Sequence, residues 1–487
     1  MQSIHEKYQV SNRPVKVLQF GEGNFLRAFV DYMIDVANEK GVFDGNIVLV
    51  KAIPAGDLEA FRAQNCVYTV CLRGQQGGKP YVENRVVTSV ADAVDAYAEY
   101  ETYADYAKLD TLRFIVSNTT EAGIVYSETD ALEMCPPASY PGKLTKFLYE
   151  RAKHFDFASN KGLVILPVEL IDDNGIRLKE CVVQMAQRWQ LSAEFLQWLE
   201  EACVFTSTLV DRIVTGYPRE EAEALCKDWG YQDNLIVTGE PFALWVIESA
   251  KDISEELPLP KAELPVIFTD NQKPYKQRKV RILNGAHTSF VMASYLCGHD
   301  TVLESMEDPA ILSFVKGTIF EEVIPTLSLP REDLVSFADS VLERFRNPFV
   351  RHALLSITLN SVSKWRARCM PSLLDYIKTQ GKVPTRLAFS LAALIAFFRG
   401  DHMEDGALVG TRNGQPYRIL DDEAVLTFFL AYKGVTPDEL AHAVLSNESF
   451  WGQDLTKPMG LKNAVGTYVT DIASLGMAAA MAKHFPA

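Results

Sequence analysis

Val15-Lys16-Val17-Leu18-Gln19-Phe20-Gly21-Glu22-Gly23-Asn24-Phe25-Leu26-Arg27 decides how the first half of the chain folds. An apolar run ends in Gly-x-Gly, and Phe25, Leu26, Phe29, Val30, Met33 and Ile34 then repeat at helical spacing up to Gly41. Asn46-Ile47-Val48-Leu49-Val50 follows, a short apolar run of the kind that forms a buried parallel strand. Strand, glycine turn, helix, strand is the setting a dinucleotide site requires. The glycines let the backbone approach a pyrophosphate, and the helix N-terminus offers unpaired N–H groups and a favourable dipole. The third glycine of the usual fingerprint is absent, with Leu26 in its place.

Working outward, strand-like and helix-like segments alternate through the first half. Strand candidates are 67–72, 85–90, 112–117 and 162–166, and helix candidates are 143–154, 181–189 and 193–203. Gly74-Gln75-Gln76-Gly77-Gly78 reads as the turn of an added hairpin. After about residue 270 strand signals nearly vanish and helical periodicity takes over, as in 311–320, 334–345 and 387–398. The polar stretch 400–417 reads as a surface loop or small hairpin. The expected architecture is an α/β Rossmann-like N-terminal domain, 1–265, followed by a mostly α-helical C-terminal domain, 266–487. Three prolines among charged residues in 256–265 mark the boundary.

At 487 residues the chain has material for two or three domains. Its formal net charge of −15, with no sustained basic stripe, argues against a nucleic-acid partner. The eight cysteines are scattered, with no C-x-x-C pair and no zinc-ligand spacing, so no metal site is expected. The first fifteen residues carry no apolar signal core, and the longest apolar run, 387–398, falls well short of a bilayer span of about 20 residues. A cytoplasmic protein without membrane attachment is expected. The oligomeric state is not legible.

Lys279-Val280-Arg281-Ile282-Leu283-Asn284-Gly285-Ala286-His287 is the second informative stretch. At about 100° per residue, an α-helix places Asn284 roughly 140° and His287 roughly 80° round from Lys279, all three on one broad face. An amine, an amide and an imidazole so placed fit around one reacting oxygen, and Gly285 leaves a gap for a ligand. Lysine serves as an acid/base near neutral pH only if its pKa is pulled down, which burial and like charges both do. Lys273, Lys276, Arg278 and Arg281 supply like charges nearby. The bland alternative is a solvated cationic helix face.

Together, Gly21-x-Gly23-x-Phe25-x-Arg27-Ala28 and Lys279-x4-Asn284-x2-His287 resemble the mannitol dehydrogenase family, the polyol-specific long-chain dehydrogenases. The resemblance covers nearly the whole chain and extends to 117–124, 208–219 and 345–348. It implies a Rossmann-like domain, a helical domain, no catalytic zinc and NAD as cofactor. The activity implied is NADH-dependent reduction of D-tagaturonate to D-altronate, and its reverse, in galacturonate breakdown. Lys279 falls on the family's proton-transferring lysine. Asn284 and His287 fall on the donors to the oxygen where charge develops. Asp211 and Lys364 match substrate contacts, the alternative for Asp211 being a structural ion pair with a neighbour such as Arg212. Leu18, Gln19, Phe20, Gly21, Glu22, Gly23, Asn24, Phe25, Leu26 and Arg27 match the cofactor loop, and Lys51, Asn118 and Thr119 are expected at its rim.

Departures from the family pattern bear on substrate. Lys276 stands where the polyol enzymes carry a glutamate, Leu170 where they carry an asparagine, and Ser356 where they carry an arginine. Exchange of an acid for Lys276 fits a substrate bearing a carboxylate, with a role on the pKa of Lys279 as the alternative. Lys51 at the end of the second strand stands where an acid for the ribose is usual, so acceptance of a 2′-phosphate, and hence NADP, stays open. Rival readings are a fructuronate reductase or mannitol 2-dehydrogenase and, from a different class, a non-catalytic nucleotide-binding sensor.

Overall fold

The computed structural model describes residues 1–120 and 122–486; Glu121, within the 117–124 stretch, and Ala487 lie outside the described residues. The chain divides into two compact units, Met1–Gln272 and Lys273–Ala487.

The first unit is built on a six-stranded sheet. Its strands are β1 (Val15–Phe20), β2 (Asn46–Lys51), β3 (Val90–Asp95), β4 (Phe114–Ser117), β5 (Val164–Pro167) and β6 (Val204–Phe205). Their spatial order is 3-2-1-4-5-6 and every pairing is parallel. That is the doubly wound arrangement, whose direction of winding reverses beside β1 and opens a crevice at the carboxyl ends of β1 and β4. Ile47, Val48, Leu49 and Val50 are fully buried, because both faces of a parallel sheet are covered. One face packs Phe29, Met33 and Trp245; the other packs Phe147, Phe195 and Trp198.

Two further sheets flank it. Tyr68–Gln76 and Lys79–Val87 form an antiparallel hairpin whose two-residue turn is Gly77-Gly78, at φ 59° and 73°. Val237–Gly239 and Val214–Gly216 extend that hairpin. The strand expected over 85–90 is in fact two: the hairpin strand stops at Val87 and β3 begins at Val90. Asp35 makes the break by accepting from Thr88 N at 2.9 Å and Ser89 Oγ at 2.8 Å. In the third sheet Leu244–Glu248 lies between Ser207–Asp211 and Val266–Thr269, so the first unit continues past the proline cluster.

The second unit is mostly helical. Helix Thr385–Phe397, almost wholly buried, packs against Gly285–Cys297 and Leu461–Leu475. The stretch 400–417 is more ordered than a loop: Gly400–Glu404, Ala407–Arg412 and Gln415–Ile419 form an antiparallel sheet. Its inward-facing Leu408, Tyr417 and Ile419 anchor it on Phe397. Among the described residues no helix is long and apolar enough to cross a membrane.

Candidate active site

In the first unit the chain leaves β1 at Gly21, whose φ of +120° few residues with a side chain adopt. A Cβ there would lie 3.3 Å from the Asn118 carbonyl oxygen. Gly21 N donates to Val50 O and Asn118 N to Phe20 O, so the loops after β1 and β4 are stitched together at the sheet's carboxyl edge. Gly23, with open space where a Cβ would be, caps a helix running over 24–39. Its free first-turn N–H groups suit an anion. Asn118, Thr120, Ala122 and Leu170 line a cavity of about 430 Å³ at the same edge.

The expected cofactor residues divide by orientation. Leu18, Gln19 and Phe20 are fully buried, so the side chains of Leu18 and Phe20 serve the core. Gln19 Nε2 donates to Gly21 O at 3.1 Å and braces the loop. Leu26 is buried with its Cδ1 against Gly21, filling the space a third glycine would leave. Phe25 stacks on Phe29. Arg27 turns inward: its guanidinium donates to Leu235 O at 2.6 Å and Asn24 Oδ1 at 2.7 Å. The open positions are Gly21, Glu22, Gly23 and Asn24, with Asn118 and Thr119 opposite.

Glu169 was not singled out by the sequence reading. Its buried carboxylate accepts from Thr119 N at 2.9 Å, Thr119 Oγ1 at 3.0 Å and Ser117 Oγ at 3.1 Å. It therefore holds the rim of the crevice from below. An acid just beyond the apolar strand β5 was the available signal. Burial pushes its carboxyl upward, and the bonds from Thr119 and Ser117 oppose that.

Lys51 does not offer a free cation. Its amine is buried, 2.7 Å from Asp95 Oδ2 at the end of β3 and 3.3 Å from Pro54 O. Glu22 lies in the field of both groups, and burial pushes its carboxyl upward. With Lys51 neutralised by Asp95, this corner offers a 2′-phosphate no free lysine to bind. Asp95→Asn keeps the bonds that Oδ1 accepts from Tyr97 N and Ala98 N while releasing Lys51. The expected result is a rise of about tenfold in kcat/KM for NADPH relative to NADH, a charge effect of ordinary size. An unchanged ratio would count against the Lys51–Asp95 pair as the discriminator.

Asp211 ends strand Ser207–Asp211 and is buried. Arg212, beside it, is committed to main-chain carbonyls. It donates to Ala28 O at 2.6 Å, Phe242 O at 3.0 Å and Pro241 O at 3.1 Å.

In the second unit one continuous helix carries the lysine motif, and it is not a uniform α-helix. Lys273–Arg278 is α-helical, Lys279–Asn284 is a π-helical turn, and Gly285–Cys297 is α-helical again. Gly285 N donates to Val280 O, five residues back. A turn closed by i→i+5 bonds brings Asn284 back over Lys279, where α geometry would rotate it by about 140°. The extra residue thus draws the amine and the amide onto one side. Such π-bulges are frequent at functional sites.

Gly285 has a packing reason as well as a ligand-side one. A Cβ there would lie 3.1 Å from Arg368 O and 3.4 Å from Val280 O. Helix Ser361–Arg368 approaches at this point, and Cys369 Sγ donates to Gly285 O at 3.5 Å.

His287 stacks on Phe345, centroids 4.0 Å apart, with His352 edge-on at 5.2 Å. Its Nε2 is buried without a hydrogen-bond partner. Burial first, then His352, Arg344 and Arg368, hold its pKa well below the ordinary value. The ring is therefore neutral near pH 7 and has a single N–H to donate. Of the like charges around Lys279, Arg281 is neutralised by Asp375 at 2.7 Å, and Arg278 is buried over Phe337. Lys276 sits one turn before Lys279, partly buried. Lys364, on helix Ser361–Arg368, donates to Ile357 O at 3.0 Å, and burial lowers its pKa.

Residues 15–261 match the family model described as the mannitol dehydrogenase Rossmann domain, and residues 271–473 the mannitol dehydrogenase C-terminal domain. The chain belongs to the mannitol dehydrogenase family. Among curated relatives, the altronate oxidoreductase of Yersinia enterocolitica is 46% identical, over 99% of this chain and 100% of its own length. That of Pectobacterium carotovorum is 46% identical over 99% of each chain, and that of Escherichia coli 44% over 95% of each. Solved structures carry the same mannitol dehydrogenase fold. A D-sorbitol dehydrogenase superposes with a TM-score of 0.75 at 22% identity, over 99% of this chain and 100% of that one. The Pseudomonas fluorescens mannitol 2-dehydrogenase, solved with NAD and D-mannitol, gives 0.62 at 20% identity, over 98% and 95%.

Proposed function

We propose that this chain is an NAD-dependent oxidoreductase that interconverts D-tagaturonate and D-altronate. The observation that carries the reading is full-length identity of 44–46% to altronate oxidoreductases, together with a lysine, an amide and a neutral imidazole gathered on one interrupted helix. The crevice residues fit NAD: a glycine loop at φ +120°, an open helix N-terminus and a Lys51 already neutralised by Asp95. Bound NADH supplies the hydride. The backbone N–H groups of Gly21, Glu22, Gly23 and Asn24 would hold its phosphates, and Asn118 and Thr119, braced by Glu169, would line the other wall.

Lys279 gives its proton to the carbonyl oxygen as that oxygen becomes negative, and takes it back in the oxidative direction. Asn284 and His287 donate hydrogen bonds to the same oxygen, preorganised because the helix and the Phe345 stack fix them beforehand. Asp211 and Lys364 are substrate contacts. Lys276, where the polyol enzymes have an acid, biases the site toward an anionic sugar. The setting is a metabolic enzyme of the cytoplasm, with a sugar acid as its small-molecule partner.

Following NADH absorbance with tagaturonate, fructuronate and fructose in parallel tests this. We expect kcat/KM for tagaturonate to exceed that for the other two by at least about tenfold, since a pocket built for one stereochemistry leaves polar groups unpaired against another. Preference for fructuronate or fructose would reassign the substrate. No turnover with any of the three would favour a nucleotide-binding sensor.

A further inference from the structure

Helix Ser361–Arg368 carries two cations four residues apart, Lys364 and Arg368, which therefore share a face. The helix is fixed from behind by buried Trp365, whose Nε1 donates to Ser390 Oγ at 3.0 Å. Its last turn abuts Gly285 of the motif helix. Arg368 Nη1 reaches Thr288 Oγ1 at 3.3 Å, placing the guanidinium beside the residue that follows His287. Its positive field is felt at the His287 ring.

Among the described residues neither cation is in an ion pair. Lys364 donates to a carbonyl and Arg368 to a hydroxyl. The nearest acid in electrostatic terms is Asp421, which acts on Lys364 only weakly and accepts Val362 N at 3.2 Å and Asp422 N at 2.9 Å. The C-terminal end of the helix supplies a fractional negative charge at most. A partly buried guanidinium with a planar fork and no carboxylate partner is an unusual thing to retain, because burying an uncompensated charge is costly. Its geometry matches a bidentate carboxylate.

We infer that Arg368, assisted by Lys364, binds the carboxylate of the sugar-acid substrate. Thr288 and the close approach at Gly285 aim the guanidinium. This rests on the reading of the chain as a uronate oxidoreductase and assigns its substrate class to one side chain.

The test uses the full chain with NADH. Arg368→Ala is expected to raise KM for tagaturonate about 10–100-fold, the usual cost of one charge-assisted bidentate contact, with kcat at saturation and NADH affinity changed far less. Arg368→Gln keeps the aliphatic stem and a polar end while removing the charge, and serves if the alanine variant fails to fold; it is expected to show the same rise in KM. Arg368→Lys is expected to recover part of it. A KM unchanged in a folded Arg368→Gln protein would overturn the inference, as would a rise seen only in Lys276→Ala measured alongside. Loss of kcat, NADH affinity and Tm together, without recovery in Arg368→Lys, would mark a purely structural residue and also overturn it. An unsubstituted chain inert toward uronates would instead bring down the function proposed above.

Discussion

Replacing Lys279 by methionine is expected to slow ketone reduction about 10²–10⁴-fold, the range that positioned proton transfer commonly supplies. Methionine matches the length of the lysine stem and is a fair helix former, so the helix should persist. The variant retains Asn284 and His287, and with them the hydrogen bonds to the developing oxyanion. It loses the amine, and with it the proton to be transferred. The glycine loop and the crevice belong to the other compact unit, so NADH affinity is expected to be unchanged. Measuring turnover together with NADH binding and Tm separates the chemistry from folding. Undiminished reduction by a folded variant would refute Lys279 as the acid.

Gly21→Val is expected to abolish dinucleotide binding, weakening it at least about a hundredfold, and to lower stability by about 1–3 kcal/mol. Two independent effects meet at this position. The backbone sits at φ +120°, which a β-branched residue tolerates worst. The added Cβ would lie 3.3 Å from both Asn118 O and Leu26 Cδ1, so the loops after β1 and β4 must separate. Relief by that route breaks the bond from Asn118 N to Phe20 O. Gly23→Ala is the useful contrast, because open space surrounds its Cβ position and its φ is an ordinary −68°. Fluorescence titration with NADH and thermal melts of both variants check the pair. Equal behaviour of the two would show that backbone geometry at Gly21 is not what shapes the site.

Much of this was legible in one dimension because it depends on neighbours along the chain. The β1–helix–β2 unit is written in a run of apolar residues, two glycines and a 3.6-residue repeat. The shift to helical periodicity after the first unit is equally local. So is the set Lys279, Asn284 and His287, since residues on one helix are related by their spacing. The hairpin turn at Gly77-Gly78 and the buried helix Thr385–Phe397 belong to the same class.

Other features depended on groups distant in sequence meeting in space. Lys51 looked like an open cation until β3 brought Asp95 to 2.7 Å. Arg27, within the cofactor stretch, is drawn inward by a carbonyl 208 positions away. Glu169 acquires its role only because β5 lies beside β4 and delivers its carboxylate to Thr119.

What the sequence by itself determined, then, was the kind of fold and the helix that carries the proposed reacting groups, since periodicity and side-chain type are properties of short segments. Only the tertiary structure decided how those groups are aimed and which charges are left to act. The π-helical turn departs from α spacing by one residue, and the helix ending at Arg368 packs against it at Gly285. Net local charge depends on through-space pairing, which neutralises Lys51 and Arg281 and leaves Arg368 facing the motif helix without an acid.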